Sequence, residues 1–245
     1  MNEYQKAADL IKHSRHVTVF TGAGVSVESG VPPFRGENGL WNEYDPIILD
    51  LKNFYKHPAE SWITIKEIFY DYFGKAEPND AHRIISRLEA DGYVQAVITQ
   101  NIDNLHQRAG SKNVFEFHGN SRELVCTECG EKYPVTDKIL AELPPKCRKC
   151  GEILKPDFVF FGEAIPDRAE KLSFEEAEKA DLFIIIGTTG EVQPASLIPV
   201  VARSKGAKII EINIEESNFT NDITNLFIQE KASRAMKQIE AELYK

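Results

Sequence analysis

The sequence lacks several features that define particular classes of protein. It has only four cysteines among 245 residues, which excludes a scaffold held together by many disulfides. No apolar run approaches the roughly 20 residues that a membrane-spanning helix needs. Residues 1–6 do not show the basic-then-apolar layout of a signal peptide, and we find no internal repeat or low-complexity tract. We therefore expect a soluble, cytoplasmic protein without a membrane partner.

Basic residues are also in deficit. Lysine and arginine total 29 against 38 aspartate and glutamate, which gives a formal net charge of −9. This charge argues against a protein that mainly binds phosphate backbones, so nucleic acid is not expected as a partner. The hydrophobic share of 42% and the charged share of 27% are close to globular averages. The length suits one large domain, or a core domain that carries small inserts.

The four cysteines form two CxxC pairs. Cys126 and Cys129 make the first pair, and Cys147 and Cys150 make the second. Two such pairs about 15–20 residues apart are typical of a tetrahedral thiolate zinc site. Because four sulfur ligands leave no open coordination position, we expect one structural Zn²⁺ rather than a catalytic one. A redox pair is the alternative.

Short apolar runs alternate with amphipathic stretches along most of the chain. Buried parallel strands are predicted over residues 16–21, 94–99, 182–187 and 207–213. Helices are predicted over residues 3–13, 81–88, 167–180, 192–203 and 231–244. This alternation predicts an α/β fold with a doubly wound, parallel, Rossmann-like sheet.

Two segments interrupt the alternation. Residues 37–76 are rich in aromatics and predict a helical insert, while residues 119–157 hold the cysteines and predict a zinc-ribbon insert. We interpret the two inserts together as a smaller lobe over the sheet. The Rossmann-like domain then consists of residues 1–36, 77–118 and 158–245. The cleft between the lobes is where a ligand is expected.

Small and polar residues follow each predicted strand. They are Gly22-Ala23-Gly24, Gln100-Asn101-Ile102-Asp103, Gly187-Thr188-Thr189 and Asn213. Ligands of open α/β sheets bind outside the carboxyl ends of the strands. The glycine loop alone is a weak sign of a nucleotide, because Val27 replaces the last glycine of a dinucleotide fingerprint and no Walker lysine follows. The same glycine sequence would also be expected in a tight strand-to-helix turn that binds no ligand.

Longer blocks make the pattern specific. The run GAGVSVESGVPPFRG at residues 22–36 resembles the signature of the sirtuins, the NAD-dependent protein lysine deacylases. Further blocks follow in the order of that family: TQNID at 99–103 with Leu105-His106, FHGN at 117–120, the two CxxC pairs, PDFVFFGE at 156–163, GTT at 187–189 and EIN at 211–213. The resemblance covers residues from about 17 to 235. The sirtuins that the chain resembles are those of the bacterial or archaeal type.

The resemblance implies a defined reaction with NAD as co-substrate. An acyl-lysine carbonyl attacks C1′ of the nicotinamide ribose, nicotinamide leaves and an alkylamidate forms; a base then helps the ribose hydroxyl attack, and water yields free lysine and O-acyl-ADP-ribose. His118 is expected to be the base, since the pKa of imidazole lies near working pH. Asn101 and Asp103 are expected to hold the ribose and the nicotinamide amide, although both also favour helix N-caps. His82 and His106 are interpreted as core residues or residues behind the site.

The resemblance also implies contacts with NAD and with an acyl-lysine peptide. Phe34 would shield the reactive carbon and Arg35 would pair with the pyrophosphate, where a packing Phe and a solvated Arg are the alternatives. The expected NAD-binding residues are Gly22, Ala23, Gly24, Phe34, Arg35, Gln100, Asn101, Ile102, Asp103, His118, Gly187, Thr188, Thr189, Asn213 and Ala232. The expected peptide and acyl-lysine contacts are Val159, Phe160, Phe161, Gly162, Glu191 and Val192. A core strand is the alternative for Val159–Phe161.

The sequence departs from the sirtuin pattern at two places. Pro33 stands where many sirtuins have Asp and some have Thr, which we expect to alter loop rigidity. Residues 62–69 lack the Tyr-x-x-Arg pair of the desuccinylase branch, which favours a neutral acyl group such as acetyl.

A protein mono-ADP-ribosyltransferase would use the same NAD cleft but would not need His118. A zinc-ribbon nucleic-acid-binding protein would need a basic stripe, whereas residues 119–156 hold seven basic and six acidic residues. A dehydrogenase would need the missing G-x-G-x-x-G spacing.

Overall fold

The computed structural model describes residues 1–36 and 39–245. Glu37 and Asn38, the first residues of the predicted helical insert, lie outside the described residues. The β-strands are β1 Val17–Thr21, β2 Val94–Thr99, β3 Val114–Glu116, β4 Gly119–Cys126, β5 Lys132–Pro134, β6 Leu154–Phe158, β7 Leu182–Ile186, β8 Lys208–Asn213 and β9 Leu226–Gln229. The α-helices are α1 Glu3–His13, α2 Leu51–Lys56, α3 Pro58–Ile65, α4 Asp80–Ala90, α5 Leu105–Ala109, α6 Asp137–Leu140, α7 Asp167–Lys179, α8 Leu197–Ser204 and α9 Ala232–Leu243.

A parallel sheet of six strands forms the centre of the molecule. Its spatial order is β3-β2-β1-β7-β8-β9, and β1 pairs in parallel with both β2 and β7. Every residue of β1 and β7 is buried, as expected of strands covered on both faces. Helices α1, α4 and α9 contribute to the core on one face, and α7 and α8 contribute to the core on the other. The predicted doubly wound α/β fold is confirmed.

A smaller lobe carries a second core. The strands β5-β4-β6 form an antiparallel sheet, and next to it lie α2, α3 and the π-helix Lys66–Tyr72. Trp62 of α3 is fully buried and donates its indole N–H to the Leu154 carbonyl at 2.8 Å. The helical segment and the cysteine-bearing segment therefore share one core. The domain boundaries given above stay a prediction.

The four predicted strands correspond to β1, β2, β7 and β8, with ends that differ by one residue at most. The predicted helix over residues 192–203 is wrong at its start, since α8 begins at Leu197. Pro194 lies in the turn before α8, and a proline keeps the preceding residue out of the helical region. The short strands β3 and β9 were not predicted. Among the described residues, no helix is both long and apolar enough to cross a membrane.

Candidate active site

The polar residues predicted at the strand ends meet at one edge of the central sheet. Thr188, just after β7, accepts a hydrogen bond at Oγ1 from the Gln100 amide at 3.1 Å. Its carbonyl accepts one from the Asn213 amide, also at 3.1 Å. Glu230 in turn donates its N–H to the Asn213 carbonyl at 3.0 Å, which brings the start of α9 at Ala232 to the same edge. The ends of β2, β7 and β8 are thus joined through side chains.

The glycine loop allows the ends of β1 and β7 to approach closely. Gly24 donates its N–H to the Gly187 carbonyl at 2.8 Å. A Cβ placed on Gly24 would lie 2.6 Å from the Gly187 Cα, which is backbone and cannot swing aside. Gly187 itself has a φ of +64°, in the left-handed region that favours glycine. Residues Ala23–Ser29 then form a 3₁₀-helix.

Gly24→Ala is expected to destabilise the protein, because the new methyl group must push two backbones apart. Overpacking of this kind costs about 1–3 kcal/mol, which lowers Tm by several degrees in a protein of this size. Gly74→Ala is the matched control, since the nearest atom to its Cβ would be the Phe69 carbonyl at 3.8 Å. Thermal unfolding of the parent and both variants is the measurement. Equal Tm values for the two variants would contradict the close-approach role of Gly24.

A directed chain of hydrogen bonds lies behind this edge. The hydroxyl of Ser26 donates to Asp103 Oδ2 at 2.7 Å and accepts from the Asn101 amide at 3.1 Å. Its partner on the far side is Nε2 of His82, at 3.4 Å. The His82 Nδ1 atom accepts from the Asn79 N–H, so its Nε2 carries the proton. Burial lowers the pKa of His82 to about 4, and the ring stays neutral at pH 7.

Both carboxylate oxygens of Asp103 accept hydrogen bonds. Its Oδ1 accepts from the Leu105 N–H at 3.0 Å, so it satisfies a free donor at the start of α5. Its other oxygen, Oδ2, accepts from the Ser26 hydroxyl, and Asp103 is one of the residues that line the cavity described below. Burial raises the pKa of Asp103, while the Leu105 N–H and the Ser26 hydroxyl oppose that rise. The carboxylate is therefore held in place from both sides.

His118 lies between β3 and β4 with one ring nitrogen engaged. Its Nδ1 is 3.1 Å from the Gln100 carbonyl, which can only accept, so Nδ1 carries the proton. Nε2 is left as the basic nitrogen of a neutral imidazole. Burial lowers the pKa of His118, and the Gln100 carbonyl partly opposes this. The ring is consequently in the form that can take up a proton at neutral pH.

A cavity of about 360 Å³ opens between the central sheet and the smaller lobe. This volume lies in the range of small-molecule sites. Of the residues predicted to bind NAD, its walls include Ala23, Phe34, Asn101, Ile102 and Asp103. Phe34 also packs against Trp41 at a ring distance of 5.4 Å. A concave site with convergent amide and carboxyl groups fits the nicotinamide and ribose end of NAD.

The residues predicted to contact the peptide are divided by the structure between core and surface. Phe160 is 1% exposed and packs edge-on against Phe54, whereas Phe161 is 46% exposed. Strand β6 ends at Phe158, so the alternative of a core strand through Val159–Phe161 is wrong. Gly162 and Glu191 are exposed and Val192 is half-buried. The predicted peptide contacts therefore lie in two places: Val159–Gly162 follow β6, and Glu191 and Val192 lie just before α8.

The four cysteines form one cluster with their sulfur atoms within 4.8 Å of one another. The Cys126–Cys150, Cys129–Cys150 and Cys129–Cys147 distances are 3.4, 3.6 and 3.7 Å between sulfur atoms. Zn–S bonds of about 2.3 Å in a tetrahedron would place sulfur atoms about 3.8 Å apart. A disulfide would need about 2.05 Å. The set therefore fits a four-coordinate metal ion.

Fold and site together define a Rossmann-like α/β protein that carries an insert with a cluster of four cysteines. The Sir2 family model matches residues 22–194. The chain is 45% identical over 240 residues to NAD-dependent protein deacylase 2 of Pyrobaculum aerophilum, covering 96% of this chain and 94% of that protein. It is 39% identical over 236 residues to NAD-dependent protein deacetylase of Thermotoga maritima, covering 94% and 96% respectively.

Solved structures give the same result. A mutant Sir2 homologue in complex with ADP ribose superimposes with a TM-score of 0.93 at 39% identity, covering 100% of this chain and 97% of that one. Sir2Tm bound to a propionylated peptide gives 0.90 at 35% identity, with 98% of each chain covered. The chain belongs to the Sir2 family, which confirms the resemblance to the sirtuins.

Two serines that support the site, Ser26 and Ser121, have no role in the sequence-based prediction. Ser26 lies inside the glycine-loop block but links Asn101 to Asp103 only in three dimensions. Ser121 of β4 donates both its N–H and its hydroxyl to the Ile102 carbonyl. The only feature of the sequence that could have indicated a role for Ser26 is its hydroxyl group within the glycine-loop block. Nothing in the local pattern singled out Ser121.

Proposed function

We propose that this protein removes acetyl or another neutral acyl group from lysine side chains of protein or peptide substrates. NAD is consumed, and nicotinamide, O-acyl-ADP-ribose and free lysine are the products. The observation that carries the proposal is His118, whose Nδ1 proton is held by the Gln100 carbonyl and whose Nε2 is basic. Relatives named NAD-dependent protein deacylase or deacetylase support it, as does the propionylated peptide of one neighbouring structure.

Bound NAD supplies the electrophilic C1′ carbon of its nicotinamide ribose and the nicotinamide leaving group. Asn101 and Asp103 orient the nicotinamide and ribose end, because Ser26 holds both side chains toward the cavity. Ile102 and Phe34 line the same cavity and exclude water from it. His118 accepts a proton at Nε2 when the ribose hydroxyl attacks.

The remaining NAD contacts belong to the glycine loop and to the other strand ends. Gly22, Ala23 and Gly24 offer backbone close to the phosphates, since side chains at Gly22 and Gly24 are excluded by Gly187 and Thr188. The Gln100 amide donates to the Thr188 hydroxyl, and the Asn213 amide donates to the Thr188 carbonyl. The proposed residues for the phosphates and the adenosine are Gly187, Thr188, Thr189, Asn213 and the backbone of Ala232, with Gln100 at the ribose.

An extended peptide is proposed to lie between two exposed segments. Phe161 and Gly162 form one side, and Glu191 and Val192 form the other, where backbone groups pair with the peptide. Val159, which is half-buried, is proposed to complete the wall near the acyl-lysine, and the buried Phe160 is proposed to support that wall from the core. A neutral acyl group is favoured because residues 62–69 lack the Tyr-x-x-Arg pair.

The metal held by the cysteine cluster is proposed to be one structural Zn²⁺. Four thiolates leave no position for a substrate or water, so the ion stabilises the smaller lobe and takes no part in the reaction. A location in the cytoplasm and the absence of nucleic-acid partners stay predictions from the sequence.

Arg35→Ala is expected to raise the KM for NAD by about tenfold, with a smaller effect on kcat. Charge-assisted hydrogen bonds to a phosphate are worth about 1.5–3 kcal/mol, and Arg35 is exposed at the rim of the glycine-loop block. Initial rates at varied NAD are the measurement. Arg168→Ala is the control, because Arg168 is an exposed residue of α7. An unchanged KM for NAD in Arg35→Ala would argue against a pyrophosphate contact.

The function is tested by mass spectrometry of one reaction that contains the purified protein, NAD and an acetyl-lysine peptide. Loss of the acetyl group together with formation of O-acetyl-ADP-ribose is the expected result. Transfer of ADP-ribose to the peptide or to the protein, with acetyl-lysine intact, would instead identify a mono-ADP-ribosyltransferase. A protein that neither consumes NAD nor gains thermal stability from it would overturn the NAD site.

A further inference from the structure

The ammonium group of Lys155 is buried in the smaller lobe with each donor engaged. The residue is 5% exposed, and its Nζ donates to the carbonyls of Pro156 at 2.8 Å and Phe158 at 2.7 Å. The third partner is Oε2 of Glu163 at 3.0 Å. Burial lowers the pKa of Lys155, and the Glu163 carboxylate opposes this shift. A buried charge is costly unless it is paired and hydrogen-bonded, so this arrangement needs a reason.

Glu163 connects this ammonium to the backbone of a turn. Its Oε2 accepts from the Phe160 N–H at 2.7 Å, and its own N–H donates to the Phe160 carbonyl at 3.0 Å. Gly162, inside the turn, has a φ of +90°. The Lys155 Nζ atom also lies 4.2 Å from the centre of the Phe160 ring, within cation–π range. Lys155 and Glu163 together hold the turn of residues 160–163 against the end of β6.

This turn lies between the proposed base and the helical segment. Just before it, Val159 donates its N–H to the His118 carbonyl at 2.9 Å. Phe161 donates to the Leu49 carbonyl at 2.8 Å and accepts from the Leu51 N–H at 3.1 Å. A displacement of the turn would therefore change the spacing between His118 and the exposed Phe161 and Gly162.

We propose that Lys155 and Glu163 are positioning residues, whose ion pair holds the 160–163 turn where it aligns an acyl-lysine peptide with His118. This inference rests on the proposed function. Neither side chain is required to touch the substrate. Their effect is geometric, and a displacement of about 1 Å at a site can lower a rate 100-fold.

Two single variants and the double variant test the pair. Glu163→Gln keeps an acceptor for the Phe160 N–H but removes the negative charge, and Lys155→Met keeps an unbranched chain without the ammonium. Each is expected to raise the KM for an acetyl-lysine peptide roughly tenfold while the KM for NAD changes less than about twofold. The double variant should be no worse than the more impaired single variant, because the two side chains act as a unit.

The controls separate positioning from general loss of structure. Lys171→Met and Glu175→Gln break an exposed ion pair of α7 that measures 3.8 Å, and such pairs contribute little. Both KM values should stay unchanged in these controls. Should Lys155→Met unfold, Glu163→Gln keeps the inference testable. The Glu163 side chain is 24% exposed, and in this variant the Lys155 ammonium keeps the Pro156 and Phe158 carbonyls as acceptors. Hydrogen–deuterium exchange of residues 159–163 should be faster in Glu163→Gln than in the parent and unchanged in the controls.

Binding of a fluorescent acetyl-lysine peptide, measured by anisotropy, distinguishes this inference from the proposed function. The inference alone would be overturned if the parent protein deacylates the peptide and the folded variants keep both its KM for the peptide and its slow hydrogen–deuterium exchange at residues 159–163. A parent without turnover that still binds the peptide, with variants that bind about tenfold more weakly, would support the inference and overturn the function. Equal rises in both KM values would contradict positioning of the peptide. A parent that neither binds nor turns over the peptide would overturn both.

Discussion

Replacing His118 with alanine is expected to lower the rate of deacylation by about 10²–10⁴-fold, the usual contribution of a general base. The reason lies in the tautomer: the Gln100 carbonyl holds the proton on Nδ1 and leaves Nε2 to take one. The fold should survive, because the ring contacts the backbone of Gln100 and the Phe117 ring without forming part of the main core clusters. Single-turnover rates with an acetyl-lysine peptide are the measurement.

The control for this variant is His57→Ala, since His57 is an exposed histidine of the helical segment. It should keep the parent rate. NAD should still raise the Tm of His118→Ala, which would show that the cofactor site is intact. A His118→Ala protein with the parent rate would refute the assignment of the base.

The pH dependence of the parent follows from the same histidine. Burial lowers the pKa of His118, so the neutral, basic form persists to a lower pH than in an exposed imidazole, whose pKa is about 6.5. The value of kcat/KM should therefore fall on the acid side only below that pH. An acid limb centred above about 6.5 would contradict the buried setting of the ring.

Removing the metal is expected to have the largest effect on stability. Cys126→Ala should lose the ion and unfold the smaller lobe, because structural zinc sites contribute about 10–16 kcal/mol in isolated zinc-finger peptides. The cysteine-bearing segment, residues 119–157, has few apolar residues of its own in the shared core. Leu124, Leu140 and Leu154 are buried, and so are Cys126 and Cys147, two of the proposed ligands. Metal content by elemental analysis and thermal unfolding are the measurements.

Activity should fall together with the metal. Ser121 of β4 donates both its N–H and its hydroxyl to the Ile102 carbonyl, so the strand before Cys126 supports the loop that carries Asn101 and Asp103. Lys138→Ala, an exposed position of α6, is the control and should keep both metal and rate. A parent protein without stoichiometric zinc, or a Cys126→Ala variant with the parent Tm, would exclude a stabilising zinc site.

Much of the fold followed from local patterns. The strand Val94–Thr99 and the helix Glu3–His13 were predicted to the residue, because buried β-branched runs and amphipathic helices have distinct periods. Strands β3 and β9 were missed because segments of only three and four residues are too short to show a period. The start of α8 was misplaced because apolar residues continue through the turn at Pro194, and a proline keeps the residue before it out of the helical region.

The sequence by itself determined the class of the site. Cysteine spacing predicted a four-sulfur metal cluster, and the resemblance of the ordered blocks to the sirtuins implied an NAD-dependent deacylase. Both depend on short stretches of sequence that can be recognised without knowledge of the fold. Only the tertiary structure decided which nitrogen of His118 is free of the Gln100 carbonyl, how Ser26 joins Asn101 to Asp103, and that Lys155 pairs with Glu163 at the 160–163 turn. Hydrogen bonds form between atoms that the folded chain brings together from distant positions, such as Gln100 and Thr188. Their partners are set by packing and not by spacing along the sequence.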